Sequence, residues 1–70
     1  MVGAEMMDKI RRHIKRLPRR LRDALLLTAA GDLTQDEIAA ALKIPASTFR
    51  GRLREARIVL KRKLELEQEQ

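Results

Sequence analysis

The chain has 70 residues, 44% of them hydrophobic and 37% charged, so it is at most one small domain and has enough apolar content to fold. It has no cysteine, which excludes disulfides and thiolate metal sites, and its single phenylalanine argues against an aromatic platform for single-stranded bases. Sixteen lysines and arginines against ten acids give a net charge of +6, which favours an anionic polymer or surface as partner.

Two basic helices are predicted in the first half of the chain, where residues 9–22 carry eight cations. The first helix runs from about Glu5 to Arg16, and Pro18 ends it because proline disfavours helical geometry in the preceding residue. The second helix starts at Pro18 and ends near Ala30, where Gly31 suits a left-handed cap. The apolar spacing of the two helices predicts core positions at Met7, Ile10, Ile14, Leu17, Leu21, Ala24, Leu25 and Thr28.

Two further helices are predicted in the second half, and no segment shows the alternation of a strand. The third begins at Thr34, where Thr34 and Glu37 have the spacing of a capping box, and ends before Pro45. The fourth runs from about Ala46 to Leu64. The predicted core positions of these helices are Ile38, Ala39, Ala41, Leu42, Phe49, Leu53, Ala56, Leu60 and Leu64.

A short capped helix, a tight turn and a longer basic helix are typical of a helix-turn-helix. The outward face of the last helix carries a row of cations with spacings of four, three and four residues, namely Arg50, Arg54, Arg57 and Lys61. Such a row repels itself unless an anion lies against it, and the major groove of DNA accepts a helix of this kind. Gly51 in the same helix costs about 1 kcal/mol of helix propensity, which is reasonable where a partner must approach the backbone closely.

The pattern resembles region 4 of sigma-70 family factors over about residues 10–64, and most of all the small extracytoplasmic-function type. The residues that carry this resemblance are Leu17-Pro18, Arg22, Gly31, Leu33-Thr34, Glu37-Ile38-Ala39, Leu42, Ile44-Pro45, Thr48 to Leu53, Ala56-Arg57 and Leu60. The helix-turn-helix portion alone also resembles LuxR-type regulators. Lys43 stands where the family usually has a turn glycine, Gly51 where serine is common, and Glu55 where many members have arginine.

The resemblance implies an all-α domain without a wing that reads the −35 promoter element in double-stranded DNA and docks on the β flap of RNA polymerase. The base contacts that it implies lie at the start of the last helix, at Ser47, Thr48, Arg50, Gly51, Arg54 and Glu55. We expect phosphate contacts from cations and from the start of the third helix, at Arg19, Arg20, Thr34, Gln35, Arg52, Arg57 and Lys61. The second helix has more leucines than one helical face can bury, so Leu26 and Leu27 are expected to be exposed docking positions. Ile58 is expected to be a docking position for the same reason, and Met6 is also expected to be exposed.

Two other functions remain open from the sequence. One is a standalone helix-turn-helix regulator that binds symmetric half-sites as a homodimer. The other is a sigma-like interaction module that binds RNA polymerase or an anti-sigma protein, which the acids Asp32, Asp36, Glu37 and Glu55 would suit.

No cofactor, metal or enzymatic activity is expected. A single histidine, His13, gives zinc no ligand set and is expected to be solvated. Asp36 and Glu37 are adjacent carboxylates, but capping explains Glu37 and no nucleophile accompanies them.

The expected organisation is a flexible segment over residues 1–4, the domain over residues 5–64, and an acidic tail over residues 65–70 that frays because acids oppose the negative end of a helix dipole. No apolar run is long enough to cross a membrane, and no secretion signal follows Met1, so a bacterial cytoplasmic location is expected.

Overall fold

The computed structural model describes residues 3–68, and four helices account for nearly all of them. They are α1 (Ala4–Arg16), α2 (Arg19–Ala30), α3 (Gln35–Leu42) and α4 (Ala46–Gln68). No strand occurs within these residues. The all-α prediction is therefore confirmed, and α3 and α4 form the predicted helix-turn-helix. Within the described residues, no helix is long and apolar enough to cross a membrane.

The ends of α1 and α2 and the start of α3 lie where the sequence signals place them. Leu17 is extended, with φ −69° and ψ 150°, as expected for a residue before proline. Gly31 caps α2 at φ 75°, in the left-handed region where a side chain would be strained. At the start of α3 the Glu37 N–H donates to the Thr34 hydroxyl at 3.1 Å, and the Thr34 N–H donates to the Glu37 carboxylate at 2.8 Å. These two bonds complete the predicted capping box.

The turn between α3 and α4 reverses the chain at Lys43. This residue has φ 60° and ψ 41°, and among the described residues it is the non-glycine residue with a positive φ. The Lys43 N–H donates to Ala40 O and the Ile44 N–H to Ala39 O, both at 3.1 Å, which is the hydrogen-bond pattern of a Schellman motif. Ile44 then packs against the core and Pro45 precedes the first residue of α4.

The core has two neighbouring clusters that both include α4. The larger cluster joins α2, α3 and α4 through Ala24, Ile38, Ala39, Phe49 and Leu53. The smaller cluster joins the start of α2 to α4 through Leu17, Leu21 and Ala56. Phe49 is fully buried and Ile38 is 1% exposed, so these two side chains are the largest that water does not reach.

Core predictions at the two ends of the chain are only partly confirmed. Met7 is 47% exposed, so that prediction is wrong, whereas Ile10, Ile14, Leu60 and Leu64 are partly buried. Helix α1 buries none of its residues fully. It packs against the other helices on one side, and its other side faces solvent. Met6 is partly buried instead of exposed, and Ala41 in α3 is exposed instead of buried.

The predicted end of the last helix at Leu64 is also wrong, because α4 continues to Gln68. Glu67 in this extension accepts a hydrogen bond from His13 of α1 at 2.6 Å and lies 3.8 Å from the Arg12 guanidinium. The His13 side chain is 16% exposed, so it is a packed contact between two helices and not the solvated residue that was expected. This hydrogen bond, opposed by partial desolvation and aided by the charges of His13, Lys9 and Arg12, lowers the pKa of the Glu67 carboxyl.

The boundary predictions concern residues at both ends. Helix α1 already begins at Ala4, within the segment expected to be flexible. Residues 65–68 belong to α4, whereas residues 1–2 and 69–70 lie outside the described residues.

Candidate nucleic-acid interface

The solvent-facing side of α4 carries the row of cations that the sequence predicts. Arg50, Arg54, Arg57 and Lys61 are all exposed, whereas Phe49, Leu53 and Ala56, each directly before one of the three arginines, are buried. Burial of one stripe fixes the rotation of the helix about its axis. The cations therefore lie about a quarter of a turn around the helix from the buried stripe and extend along about three turns.

The first turn of α4 presents small polar groups beside this row. Ala46 packs against the larger core cluster, which leaves Ser47 and Thr48 exposed. Gly51 follows one turn later, and a Cβ atom built on it meets nothing within 4 Å. Packing inside the protein therefore does not require glycine at this position.

An open cleft of about 320 Å³ lies where the start of α3 meets α4. Its lining consists of one amide, three guanidinium groups and two apolar side chains, from Gln35, Arg50, Arg54, Arg57, Leu53 and Ile58. Three guanidinium groups converge on this cleft beside the first residue of α3, so the cleft is suited to an anion.

Two interhelical ion pairs flank the row of cations. On the α3 side, Arg50 Nη1 lies 3.8 Å from Asp36 Oδ1. On the α2 side, Arg20 Nη2 donates to Glu55 Oε2 at 3.4 Å. Both pairs are more than half exposed, so each contributes little to folding stability.

The other cations of the row differ from Arg50 in having no acidic partner. Arg54, Arg57 and Lys61 form no ion pair with any of the residues that the structure describes. Their mutual repulsion is uncompensated in the isolated domain, and an anion along the row would relieve it.

The structure thus brings most of the predicted contact residues onto one face. Ser47, Thr48, Arg50, Gly51, Arg54, Arg57 and Lys61 share the exposed side of α4, Gln35 lines the adjoining cleft, and Glu55 joins Arg20 at its edge. Two predicted phosphate contacts lie elsewhere. Arg52 is half-buried and does not belong to the row of cations. The Arg19 guanidinium is in α2, 3.6 Å from the Asp23 carboxylate. The Thr34 hydroxyl accepts from the Glu37 N–H in the capping box. The hydrogen bond from the Thr34 backbone N–H, followed by that of the Thr34 side chain, lowers the pKa of the Glu37 carboxyl despite slight desolvation. The contacts themselves remain predictions.

The two flanking ion pairs and the contact between His13 and Glu67 were not found by sequence reasoning. Their members are 14, 35 and 54 residues apart along the chain. No local spacing signals such pairs, because they depend on how helices pack.

The predicted docking leucines are exposed. Leu26 is 50% exposed, Leu27 36% and Ile58 54%, whereas Leu25 packs against the core. Exposure agrees with a contact surface but does not identify its partner. No group of acids and histidines that could hold a metal occurs among residues 3–68.

Comparison with protein families matches residues 7–60 of this chain to the family described as Sigma-70, region 4. The match covers more than half of the chain and includes α3 and the part of α4 up to residue 60. Curated proteins and solved structures give no match.

Proposed function

The chain belongs to the sigma-70 region 4 family, whose domains bind DNA in transcription, and from this premise we propose that α4 reads base edges in the major groove of a −35-like promoter element. The observation that carries the proposal is the row from Arg50 to Lys61, exposed along a helix whose adjacent stripe of Phe49, Leu53 and Ala56 is buried. A helix of this diameter fits the major groove.

The roles within the interface follow from position. Arg50 and Arg54, near the start of α4, are placed to pair with guanine O6 and N7, with Ser47 and Thr48 beside them. Arg57 and Lys61 lie further along the helix, where the groove gives way to the phosphate backbone. Gln35, the first residue of α3, lines the same cleft and suits a phosphate of the DNA backbone.

The family's general role includes RNA polymerase as well as DNA. We propose that Leu26 and Leu27 supply the apolar contact with the polymerase flap, because their exposure leaves them available to it. Ile58, the third docking position expected from the sequence, lines the cleft beside Arg54 and Arg57 and therefore belongs with the proposed DNA surface. The alternative partners for these exposed residues are a second copy of the chain and an anti-sigma protein.

The experiment that tests DNA binding begins with selection of duplexes from a random pool by the purified chain. A single asymmetric motif supports a sigma-like monomer, whereas a palindrome supports the dimeric regulator. No duplex binding at low salt, combined with tight binding to RNA polymerase, would overturn the proposal in favour of an interaction module.

The selected duplex then serves to test the groove assignment. Arg54→Ala is expected to weaken its binding by about 1–3 kcal/mol if Arg54 pairs with guanine. Arg11→Ala removes the same charge from the exposed side of α1 and is the matched control. Equal losses in the two variants would show that Arg54 contributes only general charge.

A further inference from the structure

The ion pair between Arg20 and Glu55 lies at the edge of the proposed DNA surface and joins α2 to α4. Glu55 is one turn beyond Gly51 and two turns beyond Thr48, so it shares their side of the helix. Its Oε2 atom lies 3.4 Å from Arg20 Nη2, and the two side chains are 52% and 54% exposed. Both groups are therefore reachable by a duplex lying on α4.

The two members of this pair have opposite relations to DNA. Arginine is attracted to phosphate, whereas a carboxylate is repelled by it and finds a favourable partner in DNA mainly at the amino group of cytosine. While the pair is closed, the Arg20 charge is neutralised and the Glu55 charge is screened from phosphate. Opening the pair is most favourable where the DNA supplies a partner for each member.

On a duplex without a suitable base, opening would leave Glu55 beside phosphates with no donor. On a duplex that places a cytosine amino group at Glu55, the carboxylate accepts from that group and Arg20 is released to a phosphate. An exposed ion pair is weak enough to exchange in this way, since its two charges are already largely solvated.

We propose that Arg20 and Glu55 form a specificity switch, closed on non-preferred DNA and opened by a cytosine that takes Glu55 and frees Arg20 for a phosphate. This proposal rests on the proposed function and deepens it by naming a base and the residue that reads it. It also gives Arg20 and Glu55 a joint role in place of two independent contacts.

The test compares Glu55→Gln and Arg20→Ala on two duplexes, the selected site and a scrambled duplex of equal length. Glu55→Gln frees Arg20 on every sequence, so we expect scrambled-duplex affinity to rise up to about fivefold. We also expect the salt dependence on that duplex to steepen by about 0.9 in the slope of log K against log salt. The ratio of specific to non-specific affinity falls accordingly.

Arg20→Ala is expected to give the opposite signature, with weaker binding to the selected site and little change on the scrambled duplex, where Arg20 is already neutralised. The matched controls are Glu5→Gln and Arg11→Ala, which make the same charge changes at exposed positions of α1. Thermal melts of all four variants verify that each domain is folded.

The possible results distinguish failure of the switch from failure of DNA binding. Responses of the Arg20 and Glu55 variants that equal their controls, or an Arg20→Ala loss of the same size on both duplexes, overturn the switch while leaving DNA binding intact. Failure of the unmodified chain to bind any duplex overturns the proposed function, and the switch with it.

Discussion

Replacing Gly51 by alanine separates the requirements of the fold from those of the partner. Gly51 lies within α4 between the buried residues Phe49 and Leu53, on the exposed side of the helix. A glycine in a helix interior is costly because its unfolded state has more conformational freedom and its side chain adds nothing to the helix. The glycine at position 51 therefore requires an explanation other than helix stability.

The structure sets the size of the stability effect. A Cβ atom at position 51 meets nothing within 4 Å, so no strain opposes the gain in helix propensity. We therefore expect Gly51→Ala to raise the free energy of unfolding by about 1 kcal/mol. For a domain of this size, that increase corresponds to about 4–8 °C in Tm, which a melt followed by circular dichroism at 222 nm resolves easily.

The effect on binding is expected to have the opposite sign. If base edges or the sugar-phosphate backbone approach α4 closely at this point, an added methyl group costs about 1–3 kcal/mol of overpacking. Fluorescence anisotropy with a labelled copy of the selected duplex should then show weaker binding by the more stable protein. A variant that is stabilised and binds DNA as well as the unmodified chain would refute the argument that a partner explains the glycine.

Two further predictions concern the turn and the contact between α1 and α4. Lys43→Gly relieves a left-handed conformation that costs an L-residue about 1–2 kcal/mol, against about 0.5–1 kcal/mol of added backbone entropy, so a net stabilisation of about 0.5–1 kcal/mol is expected. Lys43→Ala keeps the strain while removing the charge, so equal urea midpoints for the two variants would rule out this explanation. The lowered pKa of Glu67 stabilises the fold above its unfolded pKa of about 4.3, and this contribution is lost as pH falls through the folded value. Glu67→Gln should flatten the decline in unfolding free energy as the pH falls below the unfolded pKa of about 4.3, and an unchanged decline would show that the carboxylate contact with His13 has no energetic role.

Local signals in the sequence were sufficient for the order and type of the helices. Pro18, Gly31, the Thr34 capping box and Pro45 each act through the backbone of their neighbours, so their effect is the same in almost any tertiary context. The spacing of Phe49, Leu53 and Ala56 predicted the buried stripe of α4 because three helices enclose that stretch. The position of the cation row around the axis of α4 followed from the position of this buried stripe.

Where the packing is thin, the same reasoning failed. Met7, Leu60 and Leu64 continue the apolar spacing, but spacing reports only which side of a helix is apolar and not how many neighbours cover it. The end of α4 was misplaced for a related reason. The rule that acids oppose a helix C-terminus is a local electrostatic argument, and the contact of Glu67 with His13 from a distant part of the chain outweighs it.

The position of the core relative to the candidate interface has a functional consequence. Phe49, Leu53 and Ala56 are the most deeply buried residues of α4, and each is followed directly by a residue of the exposed face, namely Arg50, Arg54 and Arg57. The most tightly packed part of the domain therefore supports the side chains proposed to reach the bases, which is what preorganised recognition requires. The thinly packed end, where α1 meets the last turns of α4, lies away from these side chains. A substitution there should lower stability without changing which sequence the domain prefers, whereas a substitution beneath Arg50 or Arg54 should change both.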